Sequence, residues 1–156
     1  MPATAQPKTK TRKGVRQLAT FSVGDLLLGV GIEHVREINR QMLVTKVPHA
    51  PPEVRGVINL RGEVATVIDL RSVLGLPTRE DTKASRNMIV YSGGETVGLA
   101  VDEISDILTV EEGEVSSTPA NVDGVDGRFF AGVLTRERSI VVILDIDEAV
   151  RGAVED

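Results

Sequence analysis

An internal echo limits what this sequence can become. The run Val54-Arg55-Gly56-Val57-Ile58-Asn59-Leu60-Arg61-Gly62-Glu63-Val64-Ala65-Thr66-Val67-Ile68-Asp69-Leu70-Arg71 returns in degraded form as Gly132-Val133-Leu134 and Ile140-Val141-Val142-Ile143-Leu144-Asp145-Ile146. Placing Asp69 on Asp145 also places Gly56 on Gly132 and Val57 on Val133, an offset of 76 residues. Gly29 to Ile38 aligns with Gly98 to Ile107 at an offset of 69, so the second copy carries a seven-residue insertion. Pro119 to Arg128, rich in Gly, Asp and Asn, is the natural place for it. A duplicated chain of 156 residues is expected to fold as two similar small units packed together.

The unit is built from strands. In the first copy two β-branched, apolar segments flank Arg61-Gly62, and the glycine supplies the positive φ that a tight hairpin turn requires. Aromatic residues are only Phe21, Tyr91, Phe129 and Phe130, so the core must be built from Val, Ile and Leu, which favour strands. Further strands are expected over Val15 to Val23, Leu26 to Ile32, Leu43 to Val47, Asn87 to Tyr91 and Thr96 to Val101. Glu33 to Ile38 reads as a helical turn or a bent strand, and the Pro48, Pro51, Pro52 cluster as a corner. Short helices are expected over Leu70 to Leu76, stopped by Gly75 and Pro77, and over Glu148 to Val154. Thr78 to Ser85 is a linker, dividing the chain into subdomain 1 at about 15–82 and subdomain 2 at about 83–148. Units of about five short strands leave exposed edges unless they close, so two small barrels with a groove between them are expected.

Chemistry is sparse. With no cysteine, the chain has no disulfide framework, thiolate zinc site or cysteine nucleophile. It also lacks a Gly-x-Ser-x-Gly elbow, and Gly93-Gly94 lacks the Lys-Ser/Thr of a phosphate loop, so it reads as a turn. His34 and His49 are far apart, the first an ordinary surface residue and the second part of the proline corner, and no metal site or cofactor is expected. Asp69 and Asp145 end apolar strands in separate units, where N-capping of the following helix suits them better than acid–base work. No stretch of about 18 apolar residues is present to span a bilayer. Residues 1–16 carry Lys8, Lys10, Arg12, Lys13 and Arg16 without an acid, against a net charge of −5 for the chain. Residues 1–14 read as a disordered basic tail. An alternative function follows from that tail, a small-barrel module binding nucleic acid or lipid, but the acidic remainder argues against a nucleic-acid surface.

Glu37 and Arg61 sit in otherwise apolar stretches of the first copy. They are either charges on a solvent-exposed strand face or partners in an ion pair that pre-organises a binding surface. Val35-Arg36-Glu37-Ile38, the proline-rich Val47 to Pro52, Arg55-Gly56-Val57-Ile58-Asn59-Leu60-Arg61-Gly62 and Val67-Ile68-Asp69-Leu70-Arg71 resemble the CheW-like domain family over about Val15 to Val150. The resemblance implies a mainly β fold. It consists of two five-stranded SH3-like barrel subdomains with a shared hydrophobic core and short helices, a single domain over 15–152. It also implies a non-enzymatic, cytoplasmic adaptor of chemosensory arrays, joining the regulatory domain of the histidine kinase CheA to the cytoplasmic tip of methyl-accepting chemoreceptors. Membrane association would then be indirect, through receptors, and no nucleic acid is involved. No kinase or receiver module accompanies the domain in this sequence, so a stand-alone adaptor is expected. Carried over by motif, Val35 contributes to an apolar receptor groove, with Ile32 and Val97 beside it and Gly56 allowing close backbone approach. Glu37, Arg61 and Leu60 orient the kinase-facing surface. Many members have proline where this chain has Thr66, a change expected to extend the strand after the hairpin.

Overall fold

The structure, a computed structural model, describes residues 15–40 and 44–154. The expected basic tail and Leu43 lie outside the described residues. The strands are β1 (Val15–Val23), β2 (Leu26–Gly31), β3 (Val35–Arg40), β4 (Val54–Leu60), β5 (Glu63–Asp69), β6 (Arg86–Ser92), β7 (Glu95–Val101), β8 (Glu103–Glu111), β9 (Val115–Ser116), β10 (Asn121–Val122), β11 (Val125–Asp126), β12 (Phe130–Arg136) and β13 (Ser139–Leu144). The helices are α1 (Leu70–Val73) and α2 (Ile146–Val154). Both readings of Glu33 to Ile38 hold in part, since a 3-10 turn over Ile32–His34 leads straight into β3. The strand expected over Leu43 to Val47 is reduced, among the described residues, to one bridge between Thr45 and Val57. The Pro119 to Arg128 insertion forms the small β10–β11 hairpin and a 3-10 turn.

Five strands form one sheet in the order β3-β6-β7-β5-β4, and six form the other in the order β9-β12-β13-β2-β1-β8. The division near residue 82 is therefore corrected. β1 and β2 join the strands after residue 103, while β6 and β7 join β3, β4 and β5. The physical reason is the parallel pairing β5–β7 and β13–β2, which needs long crossover connections and places each copy's hairpin against strands from the other side of the linker.

The duplication is kept in register. Gly56 pairs with Val67 and Gly132 with Ile143, each beside a bulge; Val67 lies parallel to Gly98 and Ile143 to Gly29. Even the closing bonds repeat, from the Asp69 N–H to the Glu53 carbonyl and from the Asp145 N–H to the Phe129 carbonyl, both 2.8 Å.

Three apolar clusters hold the molecule together. Ile58, Leu60, Ala65, Val67, Ile89 and Ala100 fill the five-stranded barrel, and Leu18, Val110, Leu134, Val141 and Ile143 fill the other. The largest cluster lies between them and draws Phe21, Leu28 and Val142 from one sheet, Ile68, Met88 and Leu99 from the other, and Leu70, Ile146 and Ala149 from the helices. Strands buried on both faces read as continuous apolar runs, which is why Val141 to Leu144 lacks alternation.

Ion pairs clamp the connections. The Arg71 guanidinium bonds both Asp102 oxygens at 3.0 and 2.7 Å, and the Gly24 N–H donates to the same carboxylate at 2.8 Å. Burial raises the pKa of Asp102, but Arg71, the Gly24 N–H and Arg79 outweigh it and hold the group below its usual range. The linker expected over Thr78 to Ser85 has no regular structure, yet it is pinned where Arg55 grips Asp81 at 2.8 and 2.9 Å.

Candidate functional site

The β4–β5 hairpin closes with a two-residue turn, Leu60 pairing directly with Glu63. Arg61 has φ 53° and Gly62 φ 88°, the double left-handed conformation whose twist matches that of the flanking strands. The Asn59 Oδ1 accepts the Gly62 N–H at 2.8 Å, which steadies the turn. Sequence reasoning credits Gly62 alone with positive φ; Arg61 shares it and bears the steric cost of a side chain there.

From that turn Arg61 reaches β3. Its two terminal nitrogens meet the two Glu37 oxygens at 2.8 and 3.0 Å, a bidentate pair. The pairing reading of these residues is therefore the one observed. The hydrogen bond from Arg61 lowers the pKa of Glu37, and Glu37 raises that of Arg61. The Glu37 side chain is 20% exposed and that of Arg61 75%, so one partner is packed while the other stands in solvent. Because β3 and β4 are the two edges of the five-stranded sheet, the pair also spans its open seam.

A bulge between Val35 and Glu37 decides which way each points. Val35 pairs with Val90, a residue of the shared core, whereas Glu37 pairs with Ile89, which fills the barrel. Two residues that plain alternation would put on one face are thus sent to opposite faces. Arg36, between them, lies 4.8 Å over the Tyr91 ring and donates to Thr96 Oγ1 at 2.9 Å.

The remaining candidates fall in different environments. Val35, Val90, Val97 and Thr66 form one row across the sheet, so Val35 and Val97 share a face, although Val97 is buried. Val97 and Thr66 border a cleft of about 380 Å³ beside α2. Thr66 lies inside an unbroken β5, paired to β4 and β7, as expected for a strand without proline there. Ile32 is exposed at the start of the 3-10 turn. Leu60 is a core residue of the barrel and does not face outward. Gly56 has φ 147°, and a Cβ there would strike the Thr45 carbonyl oxygen and Val44. The close approach expected at Gly56 is thus made by the chain itself. At Gly132 a Cβ would sit 2.6 Å from Val115 Cγ1 and 3.2 Å from the Ser116 carbonyl oxygen, so this glycine requirement belongs to the repeated fold.

Two residues escaped the sequence reading. Val64 and Ile140 occupy the same place in the two hairpins, opposite Asn59 and Thr135, and are 65% and 58% exposed. The signal was present in the repeat, since Val64 and Ile140 take the same place at the offset of 76 before Ala65 to Ile68 and Val141 to Leu144, but periodicity alone does not say where a strand leaves the core. Asp69 and Asp145 act as caps, accepting the N–H groups of Arg71 at 3.0 Å and Glu148 at 3.1 Å. His34 is exposed beside Glu33, and His49 sits in the corner turn at φ 66°. Among the described residues no group of three or more His, Asp or Glu is placed to hold a metal, and no helix is long and apolar enough to cross a membrane.

With this geometry in hand, the comparisons with known proteins agree. The sequence profile of the CheW-like domain matches residues 17–154. A chemotaxis protein CheW of Rhizobium meliloti is 38% identical over 134 residues, covering 86% of each chain. One of Bacillus subtilis is 33% identical over 145 residues, covering 90% of this chain and 93% of the relative. The crystal structure of a scaffolding protein, TtCheW of Thermoanaerobacter tengcongensis, superposes with a TM-score of 0.81 at 29% identity, covering 86% of this chain and 91% of that one.

Proposed function

The chain belongs to the CheW-like domain family, and from that premise we propose that it couples chemoreceptors to the histidine kinase CheA in a bacterial chemosensory array. It catalyses nothing; it works in the cytoplasm by holding two partners together and reaches the membrane only through the receptors. The observation that carries this reading is Arg61. A left-handed, three-quarters exposed arginine, fixed bidentately by a less exposed glutamate, presents a rigid charge to a partner at little further entropic cost.

In this reading the Arg61–Glu37 surface faces the kinase regulatory domain, with Leu60 supporting the turn from within the core. Val64 adds an apolar contact beside it, and Ile140 offers the equivalent on the six-stranded barrel. Two pseudo-equivalent contacts on one molecule allow head-to-tail joining that closes into rings. Val35, with Ile32 and Val97, takes the receptor tip, and Gly56 acts indirectly by letting Thr45 seal the strand beside it.

Co-sedimentation with a receptor cytoplasmic fragment and the kinase tests the assignment. Arg61→Ala is expected to weaken kinase association by roughly tenfold or more, and Val35→Ala to weaken receptor association while leaving the kinase bound. Near-parental binding by both variants would remove these residues from the interfaces.

A further inference from the structure

The Arg61–Glu37 pair has a neighbour of opposite sense. The Arg36 guanidinium, one residue before Glu37 on β3, bonds Glu63 Oε1 at 3.3 Å, and Glu63 lies two residues beyond Arg61 in the hairpin. β3 thus supplies the acid to one bridge and the base to the other, and the four charges alternate in sign. On its way Arg36 lies 4.8 Å over the Tyr91 ring of β6 and donates to Thr96 Oγ1 of β7 at 2.9 Å, before meeting Glu63 at the start of β5. Those contacts follow the sheet order β3-β6-β7-β5. Neighbouring strands lie about 4.8 Å apart, so one side chain touches three of them only where the sheet curls strongly. The hairpin is therefore tied to β3 by two routes, across the seam by Arg61 and across the curl of the sheet by Arg36.

The repeat serves as an internal control. The offset of 69 puts Arg36 and Glu37 on Ser105 and Asp106, and the offset of 76 puts Arg61 and Glu63 on Glu137 and Ser139. Neither bridge can form from those residues, yet the second hairpin keeps its strands and register. The fold does not require the bridges. Nor does stability explain Arg36–Glu63, whose side chains are 36% and 61% exposed, since exposed pairs add little. What the second copy lacks is a presented arginine, and Arg36 also lends its positive charge to Glu37, the residue that fixes that arginine. We propose that Arg36 and Glu63 are positioning residues for the kinase-facing surface, holding the hairpin against β3 so that Arg61 keeps its place on Glu37. The inference rests on the adaptor reading of Arg61 and names what sets that residue's geometry.

A double-mutant cycle in the full chain tests it. Arg36→Met and Glu63→Gln are each expected to weaken association with the kinase regulatory domain about threefold, the span of an exposed pair, with the urea midpoint unchanged. The double variant is expected to lose no more than either single one, because the two residues act as a unit. Parental affinity in a single variant, or losses that multiply in the double, would overturn the inference; the second result would mean that each residue touches the kinase itself. Nuclear magnetic resonance relaxation of the Arg61 Nε–H in the free chain gives a reading without the kinase. Arg36→Met is expected to lower its order, and an unchanged signal would overturn the inference. Loosening of Arg61 in a chain that binds no kinase would uphold the positioning pair and overturn the adaptor reading instead.

Discussion

Arg61 holds a left-handed backbone conformation that glycine adopts freely and an arginine does not. Arg61→Gly is accordingly expected to fold with an unchanged or slightly higher thermal midpoint while losing kinase association, a split that a purely structural arginine would not produce. The pair also sets a pH window. Arg61 lowers the pKa of Glu37 from its ordinary 4.5, so the pair's contribution is fully present above that value and is lost as pH falls through the lower folded one. Association measured from pH 7 downward should hold to the ordinary carboxylate value of 4.5 and decline only below it, and the decline should be absent from the residual binding of Arg61→Gly. Gly56 behaves in the opposite way. Gly56→Ala places a Cβ against the Thr45 carbonyl at φ 147°, and strain with overpacking should cost about 2–5 kcal/mol in urea unfolding at neutral pH. Loss of adaptor activity in that variant is expected to follow loss of stability, with no separate effect on affinity in the folded fraction.

The elements were the most legible part of this sequence. The hairpin could be read because turn chemistry and β-branched flanks are local signals, and the caps because an aspartate ending an apolar strand before a helix has one obvious use. The β3 bulge was not legible, since nothing in Val35-Arg36-Glu37 marks an extra residue; the pairing with Val90 and Ile89 imposes it. The site suffered accordingly. Its ion pair was nameable from two misplaced charges, but the burial of Leu60 and the internal reason for Gly56 depend on contacts with distant strands and the Thr45 segment. The two caps offer a measurement at this scale. Asp145→Ala should cost about 1 kcal/mol, the usual worth of a cap. Asp69→Ala should cost more, about 2 kcal/mol, because Asp69 also faces Arg55 at 3.4 Å and is itself buried. Equal costs in urea unfolding would mean that Asp81 alone satisfies Arg55.

At the scale of the whole molecule, a repeat can be seen in sequence while its partition cannot. The offsets of 69 and 76 reveal two copies, but which strands pair is decided by the parallel joins β5–β7 and β13–β2, and these interleave the copies. Each sheet then needs strands from both sides of the linker, and the shared core takes Phe21 and Leu28 from before it and Met88 and Leu99 from after it. A fragment of residues 15–82 would keep β1 and β2 without β8 and β13, and β3, β4 and β5 without β6 and β7. Its apolar faces would be uncovered and its strand edges open, so it should neither unfold cooperatively nor stay soluble. The same holds for residues 83–154 alone. Produced together, the two should assemble, because a cut after Thr82 severs no strand and leaves the Arg71–Asp102 pair as an intermolecular contact. Circular dichroism and urea unfolding of each fragment and of the mixture decide the matter: a cooperative transition from either fragment alone would show that the sheets are separable units and that the interleaving is dispensable to folding.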